Sequence, residues 1–416
     1  MHRSISKRFT GFISSLSNLN RLIIVIVALL CFIGLLSVYS ASLNMAGSFF
    51  QKVFGRQLIW LVVGCPIAAA IYFLQKKLIY DSAYILYGIG LVFLLIPYFL
   101  GSSVAGTARW IPIGSMGIQP SEFMKVLVML AIARFLASTS YSNLDFKVVI
   151  IPTIFSLVPM LIVLKQPDLG TSIIYFGLLF PMLYWAGARL FHLFIILAPT
   201  LSIVTAFNFY TFFLWVVVIL VVLYLTKEKL WVSLTIFFLN LVLGSATPFF
   251  WNSLKPYQQQ RIMTLFNIGA DPQGAGYQVI QSKIAIGSGG LFGKGIAHGT
   301  QTHLKFLPEQ HTDFIFSVIG EEYGFVGVVV VLLLFLSLLL LCFYIAFRLK
   351  DRFCSLCMVG IASIIGIHVI INVAMTVGLM PVTGLPLPFL SYGGSFLITC
   401  FILLGLTLNI GTDKQY

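Results

Sequence analysis

The chain reads as an all-α polytopic membrane protein of about twelve transmembrane helices, with both termini in the cytoplasm and one large extracytoplasmic loop. Three observations predict this. Of its 416 residues 59% are hydrophobic and only 9% are charged, too few charges to dress a soluble globule of this length. Twelve stretches approach the roughly 20 apolar residues that cross a hydrocarbon core. The basic residues also recur in alternate loops, as the positive-inside rule requires.

The stretches run over 22–41, 56–75, 79–100, 122–138, 149–164, 169–186, 190–207, 210–226, 230–249, 324–346, 354–378 and 394–411. Arg3, Lys7, Arg8 and Arg21 hold the N-terminal tail, 1–21, in the cytoplasm. The stretch that follows is too long for a signal peptide and lacks a small-residue cleavage site, so it reads as a retained helix. Counting from there, Lys76 and Lys77, Lys147, Arg189, Lys227 and Lys229, and Arg348, Lys350 and Arg352 fall inside, and an even number of spans returns Lys414 to the same side. Ten basic residues are left outside or at outer helix ends: Lys52, Arg56, Arg109, Lys125, Lys165, Lys255, Arg261, Lys283, Lys294 and Lys305. Long translocated loops tolerate charge; alternatively, lysine and arginine there grip an anionic substrate. The net charge of +13 has no soluble, aromatic-interleaved basic surface behind it, which excludes nucleic acid. Cys354 and Cys357 have CxxC spacing but no second ligand pair, so they read as packing residues.

Only twelve residues are acidic. Asp81, Asp145, Glu228, Asp351 and Asp413 fall at cytoplasmic ends, where solvation accounts for them. Glu122, Asp168, Asp271, Glu309, Asp313, Glu321 and Glu322 lie outward or near the outer surface, where an ionisable group is a functional candidate. Read with their neighbours, they point to four outward constellations. In the first, Pro120 and Ser121 open a helix on which Glu122 and Lys125 share a face at i, i+3, as a plain ion pair or as part of a site. In the second, Lys165-Gln-Pro-Asp-Leu-Gly-Thr171, Asp168 either caps the following helix or pairs with Lys165 beside a polar cavity.

The third is the loop 255–312. Asp271-Pro-Gln-Gly274 has the residues of a type I turn. Residues 277–286 read as a short amphipathic helix, with Ile280 and Ile284 on one side and Gln281 and Lys283 off it, lying against lipid headgroups. The glycines of 287–295 match no nucleotide-binding spacing, and His298, His303 and His311 fit no helical zinc pattern. In the fourth constellation, Pro381, Pro386, Pro388 and the Gly393-Gly394 pair forbid a regular helix, so 380–395 is a re-entrant turn or a substrate wall.

Taken in this order, the motifs resemble the SEDS family (shape, elongation, division and sporulation). The matching segments are 106–125, 166–171, 271–295, 307–322 and 381–395, and the run from His298 to Glu309 is similar to the elongation-type members. The resemblance implies one membrane domain over 22–416, in which an extra helix pair within 190–249 is added to a family core of ten spans, and an extracytoplasmic catalytic loop over 250–323. It implies a peptidoglycan glycosyltransferase at the bacterial cytoplasmic membrane that polymerises lipid II on the outer face during elongation. Asp271 is then the catalytic residue. Arg109, Lys125, Lys165 and Lys283 are expected at the diphosphate, and Glu122, Asp168 and Glu309 are expected to orient them or help hold a divalent cation, Mg or Mn. Gln281, His311 and Ser391 complete the expected substrate contacts. A class B penicillin-binding transpeptidase and membrane lipids are the implied partners, and no nucleotide is. The rival readings are a lipid II flippase or other transporter, a non-catalytic scaffold, and a division- or sporulation-type member of the same family.

Overall fold

The structure is a computed structural model that describes residues 18–43, 53–100, 109–113, 116–139, 146–227, 229–254, 259–260, 263, 275–304 and 306–412. Among them are fifteen helices: α1 (Asn18–Ser42), α2 (Val53–Tyr72), α3 (Lys76–Leu100), α4 (Pro120–Ser138), α5 (Phe146–Lys165), α6 (Leu169–Trp185), α7 (Leu190–Thr205), α8 (Phe209–Thr226), α9 (Leu230–Ser245), α10 (Thr247–Ser253), α11 (Ala275–Ser288), α12 (Thr300–His303), α13 (Ile315–Arg348), α14 (Arg352–Thr376) and α15 (Gly394–Ile410). All twelve apolar stretches fall on helices. Seven helices are long and apolar enough to cross a membrane, and α9 with α10, bent by 47°, makes an eighth. Pro248, opening α10, supplies the bend, because its ring removes a donor from the helical ladder. The chain is thus an all-helical polytopic membrane protein. One element absent from the sequence reading is an antiparallel hairpin, β1 (Ile111–Ile113) on β2 (Met116–Ile118).

The main bundle is built around α14. Of its most apolar window 89% is buried, so α14 faces protein rather than lipid, with α4, α6, α13 and α15 against it. Small residues allow close approach where the hydrophobic effect gives no drive between helices. Between α2 and α15, a Cβ at Gly64 would lie 2.2 Å from the Phe401 ring, and one at Gly405 would lie 2.7 Å from the carbonyl oxygen of Ala68.

Three helices stand apart from this bundle. α7, α8 and α9 enclose their own small core of Ile219, Leu223 and Ile236, and α8 and α9 pack on α7 and on each other, with α7 touching α6. Their polar groups close on themselves: the Ser202 hydroxyl donates to Asn240 Oδ1 (2.8 Å), Trp215 Nε1 donates to Ser202 Oγ (2.9 Å), and Asn240 Nδ2 donates to the Ile236 carbonyl (2.8 Å).

The segment preceding the tenth apolar stretch is more ordered than a loop. The expected helix over 277–286 is present as α11, which turns Val279, Ser282 and Ala285 inward and leaves Ile280 and Ile284 exposed. Ser282 fixes it between two neighbours, donating to the Thr376 carbonyl and lying 2.6 Å from Ser317 Oγ. The glycine run has a structural use. Residue Gly324 breaks α13 with φ 64° and ψ −162°, which strips nearby backbone groups of helical partners. The run replaces them: Lys294 N and Gly295 N donate to the Glu321 and Glu322 carbonyls, and Phe325 N and Val326 N donate to the Gly290 and Leu291 carbonyls, all within 3.1 Å. Backbone meets backbone so closely that a Cβ at Gly293 would sit 2.1 Å from the Glu322 carbonyl oxygen.

Glu321, fully buried, ties down the rest of that segment. It accepts from Lys294 Nζ, Thr300 Oγ1, the Gln301 and Thr302 amides and Thr302 Oγ1, at 2.8 to 3.2 Å. Beside it, Glu322 accepts from the Ser40 hydroxyl of α1.

Candidate active site

A cavity of about 400 Å³ opens at one end of the main bundle. Its walls come from five parts of the chain: Arg56 and Trp60 of α2; the segment from Arg109 and Trp110 to Gln119 and Glu122; Asp168 and Thr171; Glu309 to Asp313; and the loop between α14 and α15, through Leu385, Pro386 and Tyr392.

Each wall is held by specific bonds. Asp168 caps α6, its Oδ1 accepting from the Thr171 amide (3.2 Å) and its Oδ2 accepting from both the Thr171 hydroxyl (3.0 Å) and Gln119 Nε2 (2.9 Å). Arg109 Nε donates to the Gln166 carbonyl (2.8 Å), and its Nη2 donates to that of Pro167, so this guanidinium fastens the hairpin to the α5–α6 junction. Beneath the cavity floor Lys125 Nζ lies 2.6 Å from Glu122 Oε2 and 2.9 Å from His368 Nε2, all three side chains being buried. The prolines of 381–388 leave the last loop without a ladder of its own, so side chains bind its carbonyls. Asn372 Nδ2 donates to Leu385 (2.7 Å) and to Asp313 (2.9 Å), and Gln57 Nε2 donates to Ser391 (3.2 Å). Ser391 closes the loop on itself and on its neighbour, accepting from the Leu387 amide (2.8 Å) and donating to the Thr312 carbonyl (2.6 Å).

Two non-glycine residues adopt left-handed backbone here, Glu309 on the cavity wall (φ 51°) and Phe389 within the loop between α14 and α15 (φ 64°). Such conformations cost about 1–3 kcal/mol each and gather at functional sites. His311 lines the same wall. Its Nδ1 is buried and has no hydrogen-bond partner among the described residues. Burial pulls its pKa down, and the Glu309 carboxylate opposes that in part.

Five of the residues expected at the substrate line this cavity: Arg109, Glu122, Asp168, Glu309 and His311. Lys125 and Ser391 stand behind the wall, the first under Glu122, the second within the loop. Gln281 and Lys283 are carried by α11 instead, with Lys283 against Gly378, and neither lines the cavity. Lys165 is exposed, and the Lys165–Asp168 pairing weighed from the sequence is not formed. The amides of Gln166 and Asp168 both turn back to the Val163 carbonyl, which aims Asp168 into the start of α6 and leaves Lys165 on the surface of α5. Asp271, the expected catalytic residue, lies outside the described residues.

Several cavity groups were not singled out from the sequence. Arg56 was noted only as an outward base, yet no partner among the described residues holds it. Gln119 lies inside a recognised motif, and Asp313 was named only among the seven outward acidic residues. Behind the cavity, His368 carried a signal, an ionisable group in the middle of an apolar stretch. Among the described residues no three His, Cys, Asp or Glu side chains come together in a way that could hold a metal ion.

The sequence profile of the FtsW, RodA and SpoVE proteins, described as "Cell cycle protein", matches residues 20–215 and 188–416. The chain belongs to the SEDS family. Among SEDS relatives it is 33% identical to the peptidoglycan glycosyltransferase RodA of Treponema pallidum (strain Nichols), over 97% of this chain and 99% of that one. It is 35% identical to the peptidoglycan glycosyltransferase MrdB of Escherichia coli (strain K12), over 95% and 93%. Its fold is similar to a chain in a structure of a peptidoglycan synthase complex titled for coordinating polymerization and crosslinking, with a TM-score of 0.70, 30% identity, and 94% and 97% coverage.

Proposed function

We propose that this SEDS protein works as an elongation-type peptidoglycan glycosyltransferase by holding lipid II at the cavity beneath the hairpin, on the extracytoplasmic face. The observation that carries this is the cavity lining: Arg56, whose donors no described residue claims, together with four carboxylates and a half-buried histidine. A sugar diphosphate needs that mixture, cations for phosphate oxygens and acceptors for sugar hydroxyls. Arg56 meets the diphosphate, aided by the remaining donors of Arg109. Glu309, Asp313 and the His311 ring face sugar hydroxyls.

In the reaction, the 4-hydroxyl oxygen of one lipid-linked glycan attacks the anomeric carbon of another. The bond from that carbon to the phosphate oxygen breaks, its electron pair leaves with undecaprenyl diphosphate, and the hydroxyl proton passes to the Asp271 carboxylate. A positioned base contributes about 10²- to 10⁴-fold, and fixed cations stabilise the charge that develops on the leaving group. A class B penicillin-binding transpeptidase crosslinks the strands, by analogy with the peptidoglycan synthase complex of similar fold.

The test is purified protein with lipid II, alone and with such a partner. Glycan strands of several disaccharides are expected. Movement of lipid II across vesicles with no polymer would replace this reading by the flippase.

A further inference from the structure

Below the cavity, three buried side chains form a column that ends on the proline-rich loop. Lys125 Nζ bonds Glu122 Oε2 and His368 Nε2 and sits 5.2 Å from the centre of the Phe396 ring. The opposite edge of the imidazole, Nδ1, lies 3.1 Å from the Pro386 carbonyl oxygen, and the ring is 4.6 Å from that of Phe396. These partners leave one protonation state. A carbonyl only accepts, so Nδ1 carries the hydrogen; an ammonium paired with a carboxylate only donates, so Nε2 presents its lone pair.

We propose that His368, fixed as its neutral Nδ1–H form, is a positioning residue that joins the loop 380–395 to the Glu122–Lys125 pair. Glu122 and Pro386 both line the cavity while His368 and Lys125 do not, so the imidazole acts only through them. Its two nitrogens serve two different things. Nδ1 holds the loop that forms one substrate wall; Nε2 holds the ammonium that pairs with the Glu122 carboxylate of another wall. Asn372, one turn further along α14, bonds the adjacent carbonyl of Leu385, so α14 reads the loop at two successive residues but reaches Lys125 only through His368. The inference rests on the cavity being the substrate site.

Separate variants test the two nitrogens. His368→Gln places an acceptor where Nε2 was and gives up the loop bond; His368→Asn places a donor where Nδ1 was and gives up Lys125. With lipid II, the Gln variant is expected to raise KM about tenfold with kcat kept within about threefold. The Asn variant is expected to lower kcat about tenfold at similar KM, and His368→Ala to lose about 10²-fold in kcat/KM, the scale of a small misplacement of reacting groups. Equal kinetics for Ala and wild type, or the same loss in Gln, Asn and Ala, would overturn the proposal. Nitrogen-15 NMR of the histidine side chains in the wild-type protein checks it without any variant: a His368 signal protonated at Nδ1 alone supports it, and one protonated at Nε2 contradicts it. Should the wild type make no polymer, the function proposed above fails and the NMR result still decides the geometry.

Discussion

In the satellite of α7, α8 and α9 the polar side chains Ser202, Trp215 and Asn240 bond one another and one carbonyl of their own helices. Around the cavity the polar groups do the reverse, linking different walls across 49 to 334 positions of sequence: Lys125 to His368, Gln119 to Asp168, Asn372 to Asp313, Gln57 to Ser391. A closed node glues helices together and asks nothing of its surroundings. A network that crosses segments and then opens into a cavity holds backbone and charge in fixed relation to whatever enters. The difference separates scaffolding from site without reference to any relative.

Substitutions in the two regions should therefore differ in kind as well as in size. The largest effect is expected at Glu122→Ala, which leaves Lys125 buried without its counter-charge and costs about 3–5 kcal/mol. Thermal unfolding in detergent would show it, and replacing both residues by methionine should restore most of the stability but not the activity. Arg56→Ala is expected to raise KM for lipid II about 10- to 100-fold, the equivalent of the roughly 1.5–3 kcal/mol of a hydrogen bond to a charged group. Its melting temperature should be unchanged, because Arg56 has no partner to lose among the described residues.

His311 supplies a pH dependence. Its folded pKa lies below the usual 6.5, so the folded state favours the neutral ring. The associated stability is fully present above about pH 6.5 and is lost as pH falls below that value, where the unfolded chain takes up the proton first. Melting curves from pH 8 to pH 5 should show this loss in wild type and not in His311→Gln. The smallest effect belongs to the satellite. Asn240→Leu is expected to cost about 0.6 kcal/mol and at most about 1.7, as interhelical hydrogen bonds in membranes do, and to leave polymerisation at the wild-type rate. A larger loss of activity there would erase the distinction between the regions.

How far the sequence could be read follows the range of the interactions. The helices were legible because apolar length is a local property, as were the i, i+3 pairing of Glu122 with Lys125, the cap at Asp168 and the irregular backbone over 380–395. The glycines of 287–295 were legible as unusual but not as partners of Gly324, because backbone-to-backbone docking leaves no side-chain pattern. Long-range partners were hidden for the same reason. Nothing near Lys125 points to His368, 243 positions away, and nothing near Arg56 says that its neighbours leave its donors unclaimed. The β1–β2 hairpin is three residues per strand, too short for an alternation to register.

The catalytic role proposed for Asp271 rests on the family resemblance, while the cavity carries the groups proposed to bind the sugar diphosphate. The measurement that tests this most directly is lipid II polymerisation by wild type and Asp271→Ala, with folding and lipid II binding followed in the same samples. The account predicts strands from the wild type, and from the variant unchanged folding and binding with a rate lower by about 10²- to 10⁴-fold. Polymerisation by Asp271→Ala at the wild-type rate would contradict it.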